Sequence, residues 1–213
     1  MKIGVFDSGI GGEAIARVLD SELKNATVST INDHKNVPYG DKSPEDVRRL
    51  TEAAIQPLLG SDVIVIACNT ATTLAIEYLR NTHPDQLFIG IEPMIKPASV
   101  NTRSGIIAVC ATPATLASAN YKKLIQKYGA HLEIIEPDCS QWAYLIESNL
   151  MNRSHIESTI SDTVKRGADQ IVLGCTHYHW IKQLIESIAG EDVSIIEPSH
   201  AIVGRVKSLL EID

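Results

Sequence analysis

Short apolar runs rich in β-branched residues alternate along the chain with longer segments whose apolar residues recur at helical spacing. The apolar runs predict strands at 3–6, 28–31, 63–67, 88–91, 106–109, 132–135, 171–173 and 193–196. The helical spacing predicts helices at 13–23, 44–59, 71–80, 113–128, 142–149, 154–166, 178–188 and 200–211. Strands that alternate with helices form mostly parallel sheets covered by helices, and strands buried on both faces are almost entirely apolar, as several of these are. The pattern therefore predicts an α/β fold.

An internal repeat divides this pattern into two halves. The segment DVIVIACNT at 62–70 resembles DQIVLGCTH at 169–177, and a weaker similarity relates IGVFDS at 3–8 to IIAVCAT at 106–112. In each stronger copy an aspartate stands six residues before a cysteine that ends a predicted strand. The repeat predicts two similar lobes, residues 1–93 with a returning helix in 197–213, and residues 94–196. We expect a pseudo-twofold relation between the lobes, with the site in the cleft between them.

Composition and charge narrow the class of protein. The chain has 213 residues, with 19 Lys and Arg against 26 Asp and Glu and a net charge of −7, so a broad nucleic-acid-binding surface is not expected. The first residues, MKIGVFDSGIGG, do not form a signal peptide, and no apolar run approaches the length of a membrane span. We therefore expect a cytoplasmic location, with neither a membrane nor a nucleic acid as partner.

The four cysteines point to thiol chemistry. Thiols stay reduced in the cytosol, and the spacings of these cysteines lack the close pairs of a zinc site, so free thiols and no metal are expected. Cys68 and Cys175 each follow a strand and precede a predicted helix, where N–H groups favour the thiolate. Two such thiols on opposite sides of one carbon suit racemisation, which removes a proton from one face and returns one to the other. Cys110 and Cys139 lack this context and are interpreted as structural.

Small hydroxyl and amide residues accompany the two cysteine segments. They are compact donors beside predicted helix N-termini, which hold carboxylates well, although each alone is also an ordinary helix cap. These residues are Ser8, Asn69, Thr70, Thr112, Thr115 and Thr176. Their position beside the cysteines favours recognition of an amino acid.

With these residues the chain resembles the glutamate racemases of the aspartate/glutamate racemase superfamily. The matching segments, in the family order, are GVFDSGIGG at 4–12, PYG at 38–40, ACNTA at 67–71, KPA at 96–98 and LGCTHY at 173–178. His177 after the second Cys-Thr favours the glutamate branch over the aspartate branch, where glutamate is usual at that position. The segment IEPS at 196–199 departs from the family pattern.

The resemblance implies a role for each matching residue. Cys68 and Cys175 would be the two catalytic bases, with Asp7 beside the first, His177 beside the second and Glu147 assisting. The substrate-binding residues that the resemblance implies are Ser8, Tyr39, Gly40, Asn69, Thr70, Thr112, Thr115 and Thr176. It further implies that no cofactor is needed, that an acidic amino acid is the substrate, and that the D-glutamate formed supplies peptidoglycan synthesis. We also expect a homodimer.

Other functions remain open at the level of the sequence. A related racemase could act on aspartate or on another acidic or hydantoin-like substrate, and a protein that has lost catalysis could still bind an amino acid. A dinucleotide-binding enzyme would need the G-x-G-x-x-G pattern after the first strand, and the segment GIGG at 9–12 lacks its third glycine.

Overall fold

The computed structural model describes residues 1–212, whose eight strands form two separate four-stranded parallel sheets. The first sheet contains β1 (Lys2–Asp7), β2 (Thr27–Asn32), β3 (Val63–Ile66) and β4 (Phe88–Gly90) in the order β2-β1-β3-β4. The second contains β5 (Ile106–Ala111), β6 (Glu133–Ile135), β7 (Gln170–Gly174) and β8 (Ser194–Ile196) in the order β6-β5-β7-β8. The two orders are equivalent, and the predicted fold class of two parallel sheets covered by helices is confirmed.

Helices follow most of the strands. In chain order they are α1 (Gly11–Glu22), α2 (Pro44–Ile55), α3 (Asn69–Thr82), α4 (Ile95–Asn101), α5 (Pro113–Ala117), α6 (Ala119–Leu124), α7 (Trp142–Glu147), α8 (Arg153–Lys165), α9 (Lys182–Ala189) and α10 (Ser199–Leu210). Short 3-10 helices span His34–Asn36, Tyr39–Asp41, Gln56–Leu58 and Thr176–Ile181, and a π-helical turn, Ile125–Gly129, extends α6. Among residues 1–212, none of these helices combines the length and the apolar character that a membrane crossing requires.

The chain divides into two compact units, one for each sheet. The first unit comprises Met1–Glu92 and the segment from Pro198 onward, and the second comprises Pro93–Glu197. The divisions predicted from the sequence, 93/94 and 196/197, each differ from these by one residue. The chain thus leaves the first unit after its fourth strand and returns to it after the fourth strand of the second.

Both faces of the first sheet are buried, which explains its apolar strands. Val63 and Val65 face a core cluster that includes residues of α1 and α10, whereas Ile64 and Ile66 face a cluster that includes residues of α2 and α3. Successive residues of a strand point to opposite faces, so a strand with helices on both sides needs apolar residues at every position. This burial holds β1 and β3 at the centre of the sheet.

The second unit contains a helix that the sequence analysis does not predict. This helix, α4, begins at Ile95, and Ile95 packs in one core cluster with Ile107 and Val172. Pro97 lies in the first turn of α4, where a helix has no internal partner for a backbone N–H, so proline does not prevent the helix.

The predicted helix at 113–128 is interrupted. Ser118 has an extended backbone, with ψ 149°, and its hydroxyl accepts a hydrogen bond from the Tyr121 N–H at 3.0 Å. The side chain therefore caps a new helix, α6, instead of continuing α5. Apolar periodicity alone does not reveal such an interruption, because α5 and α6 both pack on the same sheet.

The aspartates of the internal repeat lie at equivalent positions and accept equivalent hydrogen bonds from backbone N–H groups. Asp62 precedes β3 and accepts a hydrogen bond from the Lys2 N–H at 2.7 Å, at the start of β1. Asp169 precedes β7 and accepts from the N–H groups of Arg103 and Ser104 at 2.6 and 2.9 Å, just before β5. Partial burial opposes ionisation, but these hydrogen bonds and one from Thr102 hold the pKa of Asp169 below its ordinary value. Each aspartate thus ties together the beginnings of the two central strands of its sheet.

Gly12, at the start of α1, lets the helix approach the end of β1. A Cβ atom at Gly12 would lie 2.6 Å from the Asp7 Cβ and 2.8 Å from the Asn32 side-chain oxygen, whereas one at Gly204 in α10 would meet nothing within 4 Å. We expect Gly12→Ala to lower the free energy of unfolding by about 1–3 kcal/mol through overpacking. The matched control, Gly204→Ala, should leave it unchanged or raise it by up to about 1 kcal/mol. Urea denaturation compares the two, and equal effects would contradict this account.

Candidate active site

Cys68 lies at the N-terminus of α3, directly after the end of β3. Its Sγ accepts a hydrogen bond from the Ala71 N–H at 3.4 Å and one from the Ser8 hydroxyl at 3.2 Å. Both groups donate to the sulfur, and the helix N-terminus adds a partial positive charge. This arrangement stabilises a thiolate at Cys68, as the sequence analysis expects for a cysteine in this position.

Asp7 ends the neighbouring strand. Phe6 pairs with Ile66 in the parallel register, so the residues that follow the two strands leave the sheet at the same edge. Asp7 is fully buried, and its Oδ1 accepts a hydrogen bond from the Gly9 N–H at 2.8 Å. A carboxylate and a thiol therefore lie at one edge of the first sheet, which we call the first half-site, comprising Asp7, Ser8, Cys68, Asn69 and Thr70.

Tyr39 is buried beside the first half-site and is held by a residue that the sequence analysis does not single out. Its hydroxyl donates to Asp33 Oδ2 at 2.8 Å, and Asn36 donates to the same carboxylate at 2.9 Å. Burial first, then the hydrogen bond to Asp33 and the charges of Asp33 and Cys68, raise the pKa of Tyr39. The phenol is therefore neutral. Apolar periodicity does not indicate a role for Asp33, because this residue lies in a loop. Gly40 follows Tyr39 in the same 3-10 helix.

Asn69 and Thr70 form the first turn of α3, and both are buried. The Asn69 side-chain NH₂ donates to the Ile91 carbonyl at 3.3 Å. Its side-chain oxygen is buried and has no hydrogen-bond partner among residues 1–212. Burying a polar atom without a partner is unfavourable, so this oxygen is suited to accept a hydrogen bond from a bound molecule.

Cys175 follows β7 and has a different environment. Its Sγ lies 3.8 Å from His177 Nδ1, and His177 Nε2 lies 2.8 Å from Glu147 Oε2. Glu147 is the last residue of α7. The fold therefore brings Glu147, His177 and Cys175 together, although they lie in separate segments of the chain. The result is a chain of thiol, imidazole and carboxylate, in which the carboxylate orients the imidazole and stabilises its protonated form.

The helix predicted at 178–188 is wrong in its first part. A 3-10 helix, Thr176–Ile181, follows Cys175, and α9 begins only at Lys182. The Cys175 side chain makes no capping hydrogen bond to this short helix, unlike Cys68 at the start of α3. A 3-10 turn keeps Thr176 and His177 buried beside the sulfur. The polar group nearest the Cys175 sulfur is therefore the imidazole of His177 and not a helix N–H group.

Thr112 and Thr115 complete what we call the second half-site, which comprises Thr112, Thr115, Glu147, Cys175, Thr176 and His177. Ala111 pairs with Gly174, so Thr112 and Cys175 leave the sheet side by side. The Thr112 hydroxyl caps α5 by accepting from the Thr115 N–H at 3.3 Å, and the two hydroxyls lie 3.0 Å apart. These donors stand at a helix N-terminus, as the sequence predicts.

The other two cysteines lie inside the second unit, away from such donors. The Tyr178 hydroxyl donates to the Cys139 carbonyl at 3.0 Å, and the Cys139 thiol contacts Cys110 through a hydrogen bond. Burial first, and then Cys110, raise the pKa of Cys139, so its thiol stays protonated and unreactive. Within residues 1–212, no three His, Cys, Asp or Glu side chains are grouped so that they could hold a metal ion.

Comparison with known proteins identifies the family. The family model described as Asp/Glu/Hydantoin racemase matches residues 3–206. The chain belongs to the Asp/Glu/hydantoin racemase family. It is 41% identical to a glutamate racemase of Clostridium novyi over 93% of this chain and 79% of that protein, and 37% identical to one of Herpetosiphon aurantiacus over 98% and 84%.

Solved structures agree with this membership. The Escherichia coli glutamate racemase, in complex with L-glutamate and the activator UDP-MurNAc-Ala, superimposes with a TM-score of 0.90 at 26% identity, covering 99% of this chain and 82% of that one. The Francisella tularensis glutamate racemase, in complex with D-glutamate, superimposes with a TM-score of 0.81 at 30% identity, covering 99% and 80%. This racemase fold therefore carries both half-sites at the sheet edges described above.

The environments of the thiols predict their reactivity. Cys68 and Cys175 are 6% and 7% exposed and lie beside groups that favour the thiolate, whereas Cys110 and Cys139 are 0% and 2% exposed. We expect iodoacetamide at pH 7 to modify Cys68 and Cys175 at least about 10-fold faster than the other pair, since only thiolates are nucleophilic. Peptide mass spectrometry measures the order of modification, with protein unfolded in urea as the control in which all four react. Prior modification of Cys110 or Cys139 would contradict the assignment.

Proposed function

We propose that this racemase interconverts L-glutamate and D-glutamate by direct proton transfer to and from Cys68 and Cys175, without a cofactor. The observation that carries the proposal is the equivalence of the two half-sites. Each thiol follows the third strand of a four-stranded parallel sheet of the same order, and each has its own set of polar neighbours. Similarity to glutamate racemases along nearly the whole chain supports glutamate as the substrate.

The chemical step needs one thiolate and one thiol. The thiolate takes the proton from the α-carbon, leaving a carbanion, and the second thiol gives its proton to the other face of that carbon. The products are the inverted amino acid and a pair of side chains with their protonation states exchanged, so atoms and charge balance. With an ordinary thiol pKa near 8.5, few thiols are ionised at neutral pH, so each half-site must supply thiolate by its own means.

The two half-sites supply it differently. At Cys68 the N–H of Ala71 and the hydroxyl of Ser8 stabilise the negative sulfur. At Cys175 the proton can pass to His177, whose charge Glu147 then balances. We assign Asp7 as the auxiliary acid–base group of Cys68, and His177 with Glu147 as that of Cys175.

The remaining polar residues suit a carboxylate-bearing amino acid. Hydroxyl and N–H groups at helix N-termini bind carboxylates and stabilise negative charge that develops on them as the carbanion forms. We assign this role to Ser8, Tyr39, Gly40, Thr70, Thr112, Thr115 and Thr176. The unpartnered oxygen of Asn69 is suited to accept from the substrate ammonium group. We further propose that the enzyme is a cytoplasmic homodimer whose D-glutamate supplies peptidoglycan synthesis.

The first test removes each thiol. Cys68→Ser and Cys175→Ser should each lower the rate of racemisation at least roughly 100-fold, because a hydroxyl is too weak an acid to replace a catalytic thiol at neutral pH. The loss of optical rotation, followed from L-glutamate, D-glutamate and both aspartates, measures activity and substrate preference together. Cys110→Ala is the matched control and should retain activity. Normal activity in either serine variant would contradict the mechanism, and faster turnover of aspartate would contradict the substrate.

The second test concerns the auxiliary groups. The equilibrium between enantiomers is unity, so kcat/KM for the two directions must fall equally in any variant. Asp7→Asn should therefore increase the primary isotope effect on the α-proton in the direction in which Cys68 is the base. His177→Asn should increase this isotope effect in the direction in which Cys175 is the base. Asp20→Asn and His131→Asn, both at exposed positions, are matched controls. Equal isotope effects in both directions for both variants would remove the pairing of one helper with each thiol.

A further inference from the structure

Two histidines of the 3-10 helix Thr176–Ile181 each lie near a glutamate, and only one of these pairs contacts the thiol. His177 Nε2 lies 2.8 Å from Glu147 Oε2 of α7. His179 Nε2 lies 3.9 Å from Glu197 Oε2. Glu197 comes directly after β8 and is the last residue of the second unit. The proposed function assigns no role to this second pair.

The second pair is buried, which requires an explanation. The side chains of His179 and Glu197 are only 8% and 14% exposed, and Nε2 of His179 has no hydrogen-bond partner among the described residues. Burying a carboxylate is unfavourable unless a positive group lies beside it. Lys182 of α9 is such a group, because its Nζ lies 4.0 Å from Glu197 Oε1. Lys182 also lies 3.9 Å from Glu186, on the exposed side of α9.

Burial keeps the ring of His179 neutral. Burial above all lowers the pKa of His179, the positive charges of Lys182 and His177 act in the same direction, and Glu197 opposes them. At neutral pH the buried pair is therefore a neutral imidazole beside a carboxylate, and Lys182 balances the carboxylate. A neutral ring two residues from His177 adds no positive charge that would compete with protonation of His177.

The position of the pair links it to Cys175. Val172 in β7 pairs with Ile196 in β8, so Glu197 and the residues after β7 lie at the same edge of the second sheet. A side chain anchored at the end of β8 can therefore hold this short helix in addition to the contact that Glu147 makes with His177. A 3-10 helix has weaker internal hydrogen bonds than an α-helix, so its orientation depends more on such outside contacts.

We propose that His179 and Glu197, together with Lys182, are positioning residues of the second half-site, holding the helix Thr176–Ile181 so that His177 faces the Cys175 sulfur. This proposal deepens the proposed function and rests on it. None of the three side chains needs to touch the substrate. They act through His177, whose displacement by about 1 Å would lower the rate strongly.

The test compares Glu197→Gln with Glu186→Gln, because each removes one carboxylate partner of Lys182 and only the first removes the contact with His179. Glu197→Gln should lower kcat roughly 10-fold with little change in KM, as expected when a proton-transfer group is misplaced. It should also slow alkylation of Cys175 at pH 7 several-fold, while Cys68, in the other unit, reacts at the wild-type rate. Glu186→Gln should change neither quantity, and Glu197→Asp should restore part of the loss.

Measuring the alkylation rates of Cys68 and Cys175 in the same sample distinguishes a local effect on positioning from general destabilisation. If Glu197→Gln alters both thiols equally, or behaves like Glu186→Gln, the proposal is overturned. Should that variant fold poorly, Lys182→Met carries the test, since it removes the charge that balances Glu197 from a partly exposed position. If the wild-type protein does not racemise glutamate, the proposed function fails, whereas the comparison of alkylation rates still decides whether this network positions His177.

Discussion

Parallel pairing of two buried central strands in each sheet is the constraint on which the rest of this structure depends. β1 pairs with β3, and β5 pairs with β7, so the carboxyl ends of each pair meet at one edge. Helices cover both faces, which leaves that edge as the place where polar residues can gather without disturbing the core. Asp7 and Cys68 emerge there in the first unit, and Thr112 and Cys175 in the second. The repeated aspartates, Asp62 and Asp169, tie together the opposite ends of the same strands.

The same topology presents its two thiols in chemically different surroundings. Cys68 receives hydrogen bonds from a helix N-terminus and from Ser8, which act on the sulfur directly. Cys175 precedes a short 3-10 helix and has His177 beside it instead, with Glu147 behind the imidazole. The first arrangement acts on the sulfur through fixed dipoles, and the second places beside the sulfur a group that can itself carry a proton.

Two carboxylates beside the half-sites have polar or charged partners of their own. Asp33 accepts from both Tyr39 and Asn36, which fixes the phenol at the edge of the first half-site. Glu197 is balanced by Lys182 and faces His179.

The sequence by itself determined the fold class, all eight strands to within about two residues, and the positions of both thiols at strand ends, because strand and helix periodicities and an internal repeat are local properties of the chain. It did not determine α4, the break at Ser118 or the 3-10 helix after Cys175, because capping and packing override periodicity at those points. Only the tertiary structure decided which side chains act together. Glu147 meets His177 across 30 residues of chain, and Glu197 lies beside His179, from which α9 and β8 separate it along the chain. These pairings depend on how separate helices and loops pack on a sheet. The spacing of residues along the sequence does not indicate that packing.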